Sequence, residues 1–224
     1  MDKAKMSVII PTMNEEKSIG LVIDEIKDAI GSSMPFEILV VDTDSKDRTR
    51  QIASEKGAVV VDEPRRGYGR AYKTGFEKAS GEIIATLDAD MTYPASDLPS
   101  LIETLETRGL DFVTTNRFAR MDKGAMSAKH RFGNWVLSAT TRLLFRVKLR
   151  DSQSGMWVFR RELLDRLELK SDAMSLSEEI KIEAFKKGKA LEVPISYRVR
   201  VGDVKLSSWK DGTGNLRYLF TKRF

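Results

Sequence analysis

The sequence predicts an α/β fold: a mainly parallel central sheet with helices on both faces. Two observations carry this. The strand-like segments of the first half are near-continuous apolar runs, as strands covered on both faces must be. Between successive runs lies a stretch with apolar residues at helical spacing, long enough to return the chain for the next parallel strand.

Taken in order, residues 6–10 read as a buried strand stopped by Pro11. Residues 15–30 read as a helix, because Ile19, Val22, Ile23, Ile26 and Ile30 fall on one face at a 3.6-residue period. The alternation continues with a strand at 36–41, a helix at 47–56, a strand at 58–61, a helix at 69–79 and a strand at 82–87. A helix over 95–107 and a strand over 111–115 follow. After Asn116 the pattern changes to a basic helical segment, a strand at 155–159, a helix at 176–187 and a strand at 190–193 before Pro194. No repeat or low-complexity linker divides the chain, so residues 1–224 are expected to form one unit.

Composition narrows the classes. With 224 residues the chain can build a sizeable core, and with no cysteine it has neither a disulfide framework nor a thiolate metal site. A reducing, cytoplasmic setting is the expectation. No run of about eighteen apolar residues occurs, and the N-terminus leads straight into the first strand, so neither a membrane span nor export is expected.

The net charge of +5 is modest, and the pI of about 9.3 comes with no nucleic-acid-binding motif, so nucleic acid is not an expected partner. The charge is concentrated, however. Lys123, Lys129, Arg131, Arg142, Arg146, Lys148 and Arg150 face almost no acid and are interleaved with Trp135, Val136, Leu137, Leu143, Leu144 and Phe145. Such a segment suits an anionic neighbour, including a membrane interface. Trp135 and Phe145 are by composition more ordinary as core, and the lone His130 has no second histidine with which to bind metal. The tail 216–224 repeats the basic, aromatic composition.

In open α/β sheets ligands sit beyond the carboxyl ends of the strands. Three polar loops belong there: Pro11-Thr12-Met13-Asn14-Glu15, the stretch 42–47, and Asp88-Ala89-Asp90. In extended backbone residues i and i+2 share a side, so Asp88 and Asp90 could meet one hard divalent cation. The competing reading of each loop is turn and helix-cap chemistry, which suits Asp47 well. Gly67-Tyr68-Gly69 lacks the third glycine of a dinucleotide fingerprint, and no Walker lysine loop exists. Gly67 and Gly69 serve either close ligand approach or a turn.

Together, the segment 7–15, Val40-Val41-Asp42, the segment 67–72 and Leu87-Asp88-Ala89-Asp90 resemble the family 2 glycosyltransferases of the GT-A fold. Asn116-Arg117-Phe118, the segment 131–134, the segment 151–155 and the segment 201–206 resemble its branch of dolichol-phosphate mannose synthase and related polyprenyl-phosphate glycosyltransferases. The resemblance implies a nucleotide-sugar-binding half (1–115), an acceptor-side half (116–210) and a basic amphipathic tail (211–224). It assigns Pro11, Thr12, Asn14, Glu15, Asp42, Gly69, Asp88, Ala89 and Asp90 to the nucleotide, and Asp88, Asp90 and Thr92 to Mg²⁺ or Mn²⁺. It places Arg117, Arg131 and Lys205 on the donor or acceptor phosphates, and Arg131, Asn134, Ser154, Gly155 and Lys205 on the acceptor side. Two departures stand out: Thr43 separates Asp42 from Asp44, where many relatives have adjacent acids, and Met156-Trp157 replaces the more usual Phe-Arg.

The implied activity is inverting, metal-dependent transfer of a hexose from a nucleotide sugar to dolichyl or another polyprenyl phosphate at the cytoplasmic membrane face. UDP-glucose or UDP-N-acetylglucosamine is favoured as donor, with GDP-mannose open. A sugar-hydroxyl acceptor would instead require a base, for which Glu178 and Glu179 are candidates, although two acids at a helix N-terminus also suit the macrodipole. A non-catalytic nucleotide-sugar or lipid-binding protein is the alternative outside enzymes.

Overall fold

A computed structural model describes residues 4–202 and 208–224. Its sheet has seven strands, β1 (Met6–Thr12), β2 (Phe36–Asp42), β3 (Val59–Asp62), β4 (Ile83–Thr86), β5 (Phe112–Met121), β6 (Trp157–Arg160) and β7 (Ala190–Tyr197), in the order β3-β2-β1-β4-β6-β5-β7. β1 to β4 are mutually parallel, β7 is parallel to β5, and β6 lies antiparallel between β4 and β5. The helices are α1 (Ile19–Ile30), α2 (Thr49–Glu55), α3 (Tyr68–Lys78), α4 (Leu98–Thr107), α5 (Ala128–Phe145), α6 (Leu176–Lys187) and α7 (Ser208–Arg223), with short 3-10 turns at Ala95–Asp97 and Arg161–Arg166.

The period-2 alternation of the strands assigns each side chain to a layer. Val8, Ile10, Val40, Ile83, Ala85 and Val158 face α1 and α4, whereas Ile9, Leu39, Val41, Ile84, Trp157 and Phe159 face α3 and α6. Helix α1 buries the five isoleucines and valines whose spacing predicted it, each contributing roughly 1.5–3 kcal/mol of burial. A third cluster joins Leu137 and Phe145 of α5, Ile182 of α6 and Leu219 of α7.

Both prolines expected to end strands lie inside them. β1 pairs with β4 only as far as Ile9, and the Ile9 carbonyl accepts from Leu87 N. Pro11, two residues on, turns its missing N–H to that same side, past the end of the pairing, so no ladder bond is lost. Pro194 is tolerated because β7 is an edge strand. α1 starts four residues later than expected because residues 15–18 form a turn in which Glu15 O accepts from Ser18 N and Ile19 N. β5 runs on to Met121, with an irregularity between Asn116 and Arg120 that breaks its register with β7. Arg117 lies within that irregularity.

Candidate active site

The carboxyl ends of β1, β2 and β4 bring the three polar loops to one edge, as the topology requires. At the end of β4 Ala89 packs into the core at 4% exposure, which turns its two neighbours the other way. Asp90 is almost fully buried. Its Oδ1 accepts from Thr92 N (3.0 Å) and Thr92 Oγ1 (2.6 Å), and its Oδ2 pairs with Arg200 Nη2 at 2.6 Å. Asp88 is half-buried. Burial and then the charge of Asp90 push its carboxyl up to about 7, with Arg200 and Arg117 pulling the other way.

The Asp90 charge that resists ionisation of Asp88 is an excess of negative charge, which a hard divalent cation that takes oxygen ligands would relieve. The chemistry of this donor pair therefore fits Mg²⁺ or Mn²⁺, for which Asp88 and Asp90 would be the ligands. Thr92 sits directly behind Asp90, its hydroxyl given to the carboxylate. No group of three acids or histidines forms a metal cluster among the described residues.

The first two loops are latched together. Thr12 Oγ1 donates to Asp42 Oδ2 (3.0 Å), Asn14 N donates to Ser45 Oγ (2.7 Å), and Asn14 Oδ1 accepts from Lys46 N (2.7 Å). Asn14 takes a positive φ of 55° to do so, a conformation Asn tolerates better than most residues. Asp42 has no exposed surface and also accepts from Ser45 N and Oγ. Glu15 is buried below Thr49, whose hydroxyl oxygen accepts from Glu15 N. Pro11 is half-buried on β1.

A strap after β7 closes over these loops. Arg198 N donates to Thr92 O and Val201 N to Asp90 O, both at 2.9 Å, while a Cβ on Gly202 would lie 3.4 Å from Glu15 Oε2. Arg200 is thus a site residue that sequence reading missed. Its signal was the alternation Arg198-Val199-Arg200-Val201 directly after a strand. Lys205 lies outside the described residues.

On the acceptor side the structure separates the expected residues. Arg117 makes a bidentate pair with Asp151, Nε to Oδ2 at 2.8 Å and Nη2 to Oδ1 at 2.9 Å, and its guanidinium lies 5.3 Å from the Tyr197 ring centroid. Burial works to raise the Asp151 carboxyl, but Arg117 holds it below the ordinary carboxylate range. Asp151 is the second such residue after Arg200: the sequence shows its motif, 151–155, but not its partner Arg117. Ser154 turns its hydroxyl inward to Thr115 (2.5 Å). Gly155 does face the site: its N donates to Tyr93 OH (2.7 Å), and a Cβ there would lie 3.2 Å from Asp88 Oδ1.

Arg131 is exposed and lines a cavity of about 540 Å³ with Asn116, Phe118, Trp135, Arg142 and Arg150. Asn134, one turn along α5, contacts Met126 Sδ. Trp135 is 57% exposed and stacks with exposed Phe132, whereas Phe145 is core. Exposed His130 is in the first turn of α5, where its N donates to the N-cap Ser127 Oγ.

Glu179 is committed to structure, accepting from Lys170 N, Ser171 N and the Tyr218 hydroxyl. Glu178 accepts from Gln153 Nε2 (2.8 Å), and burial pushes its carboxyl up to about 8. A general base must lie within hydrogen-bond reach of its substrate, and both acids are fully buried.

Gly69 serves a close approach between two stretches of protein backbone. A Cβ there would meet Ser171 O at 2.6 Å and Ala173 O at 2.9 Å. Gly69→Ala is expected to destabilise the fold by about 1–3 kcal/mol, because one backbone must move; thermal melting measures this, and an unchanged midpoint would refute the steric reading.

A family model described as "Glycosyl transferase family 2" matches residues 7–168. The chain belongs to that family. A low-salt glycan biosynthesis hexosyltransferase, Agl6, from Haloferax volcanii is 34% identical over 217 residues, which are 96% of this chain and 52% of that protein. A dolichyl-phosphate hexose transferase from the same organism is 34% identical, covering 92% of this chain and 89% of its own length. A dolichol-phosphate mannosyltransferase from Pyrococcus furiosus is 31% identical over 90% of this chain and 59% of its own. This family 2 chain thus spans about half the length of the Haloferax Agl6 protein. Its fold matches glucosyl-3-phosphoglycerate synthase from Mycobacterium tuberculosis, solved with Mg²⁺ and uridine diphosphate, at a TM-score of 0.79 and 23% identity over 98% of this chain and 79% of that one.

Proposed function

We propose that this family 2 protein is an inverting, metal-dependent glycosyltransferase that moves a hexose from a nucleotide sugar to dolichyl or another polyprenyl phosphate at a membrane surface. The observation that carries the reading is the placement of Asp88, which feels the charge of Asp90, against Gly155. In this reading a cation-binding carboxylate pair would stand between the residues that bind the nucleotide and those that meet the acceptor. The names of the Haloferax and Pyrococcus relatives support the lipid phosphate, and the Mycobacterium complexes with Mn²⁺ and UDP-glucose support the metal and a uridine donor.

Asp42, Thr12 and Glu15 would bind the nucleoside, with Asp42 held rigidly by its own donors. Asp88 and Asp90 would hold Mg²⁺ or Mn²⁺, which when bound supplies charge stabilisation to the departing diphosphate. A phosphate monoester acceptor has a second pKa of about 6 and is largely dianionic at neutral pH, so it needs cations to place it more than a base to activate it. Arg131, with Arg142 and Arg150 in the adjoining cavity, supplies them, and Arg117 stiffens that wall through Asp151. The burial of Glu178 and Glu179 favours this acceptor over a sugar hydroxyl.

Among the described residues no helix is long and apolar enough to cross a membrane. Exposed Phe132, Trp135 and Leu143 on α5, beside these arginines, suit insertion at an anionic interface on the cytoplasmic side. Arg131→Ala is expected to lower kcat/KM for farnesyl phosphate by about tenfold to a hundredfold, the worth of one charge-assisted contact, with UDP affinity unchanged. Equal activity of both proteins on farnesyl phosphate, or faster transfer to a plain sugar hydroxyl, would overturn the acceptor assignment.

A further inference from the structure

Helix α6 is buried from Leu176 to Ala184. Leu176, Ile180 and Ala184 pack under the sheet with Tyr72 and Trp157, and Ile182 packs on the other side with Leu137 and Leu219. A helix enclosed on all sides ordinarily carries apolar residues throughout, yet Lys181, at its middle, has no exposed surface. An unsatisfied ammonium there would cost several kcal/mol.

Lys181 Nζ is met by the carbonyl oxygens of Ser154 (2.5 Å), Ser152 (2.9 Å) and Asp151 (3.3 Å) and by Ser177 Oγ (3.3 Å), and it lies 5.7 Å from the Trp157 ring centroid. Ser154 O also accepts from Trp157 Nε1 (2.7 Å) and Ser177 Oγ (3.1 Å), and Ser152 O from Ser177 Oγ (3.4 Å), but Lys181 Nζ bonds all three carbonyls at once and so draws the dipoles of four consecutive residues to one point. Burial draws the ammonium down to about 7, while Asp151, Glu192 and Glu178 favour its charged form and Arg117 opposes it.

The loop so gathered is the one that borders the site. Asp151 at its start pairs with Arg117, and Gly155 at its end lies against Asp88. Its middle is held from the same helix: Glu178, one turn before Lys181, accepts from Gln153 Nε2, while Gln153 Oε1 accepts from Asn215 Nδ2 of α7 at 2.8 Å.

We propose that Lys181 is a positioning residue for glycosyl transfer: its ammonium collects the carbonyls of the 151–154 loop and so fixes Gly155 and Asp151 in the geometry that the acceptor meets. It acts from beneath the site and touches neither substrate. The transfer readout rests on the function proposed above; the conformational readout does not.

The test is Lys181→Met in the full chain, which keeps the aliphatic stem and removes the donors. Amide hydrogen exchange at Asp151, Ser152, Gln153 and Gly155 is expected to quicken by about tenfold or more, with β1–β3 amides unchanged. With UDP-glucose, Mn²⁺ and farnesyl phosphate, kcat/KM for the acceptor is expected to fall about a hundredfold, the effect of a displacement near 1 Å, while the Kd for UDP with Mn²⁺ stays within about threefold of wild type.

Unchanged exchange in the loop, or loss of UDP binding in step with transfer, would overturn the proposal. Wild-type protein that transfers to no acceptor would defeat the functional reading alone, leaving the exchange result to decide the role of Lys181. If Lys181→Met does not fold, Lys181→Gln, which keeps a polar donor but removes the charge, must still quicken exchange in the loop; no change there would also refute it.

Discussion

Asp90→Asn is expected to lower turnover by about a thousandfold while leaving the protein folded. The substitution keeps Oδ1, which accepts from Thr92 N and Oγ1, so the turn after β4 should survive. What goes is the negative charge. A divalent cation supplies several kcal/mol of stabilisation to a departing diphosphate, and each 1.36 kcal/mol is tenfold in rate. Asp88→Ala should do the same by removing the second carboxylate. Arg200 makes the Asp90 case sharper, because the same Oδ2 that pairs with it at 2.6 Å belongs to the carboxylate a cation would use. Steady-state transfer and Mn²⁺ binding, measured on each variant, check this; wild-type turnover in both variants would remove the metal from the mechanism.

Asp151→Asn carries the largest expected effect on stability. Arg117 is 7% exposed and Asp151 fully buried, and their bidentate contact is reinforced by Arg117 N donating to Asp151 Oδ2. Removing the acid strands a buried guanidinium, at a cost of about 3–5 kcal/mol. For a chain of this size that corresponds to a fall in melting temperature on the order of 10 °C. Combining Asp151→Asn with Arg117→Met should recover part of the loss, since the uncompensated charge is gone. A double variant no more stable than Asp151→Asn alone would show that the pair contributes through hydrogen bonding and shape, not through charge balance.

The first half of the fold was legible because its signals are local. Five apolar residues at helical spacing defined α1, and unbroken runs such as Val40-Val41 defined strands covered on both faces. The strand ends were less so. Whether Pro11 ends β1 depends on how far β4 extends beside it, a fact about a partner more than seventy residues away.

The site shows the same division. Asp88 and Asp90 were visible as a motif, because i and i+2 share a side in any extended backbone. Asp151 and Arg117, 34 residues apart, or Lys181 and the carbonyls of 151–154, become related only once the sheet has placed β5 and β6 side by side and α6 beneath them. A lysine at the centre of a helical pattern reads as a solvent-facing position unless the helix is known to be enclosed. Gly69 was ambiguous between ligand and chain, and the backbone of Ser171 and Ala173 occupies the space.

The most direct test offers UDP-glucose, UDP-N-acetylglucosamine and GDP-mannose separately to the protein with farnesyl phosphate, with and without Mn²⁺, and follows nucleoside diphosphate release and glycolipid. The expected result is release with at least one donor, dependent on both Mn²⁺ and the lipid phosphate, giving a product of inverted anomeric configuration. Equal release without metal, or transfer to a sugar hydroxyl with none to the lipid phosphate, would contradict it.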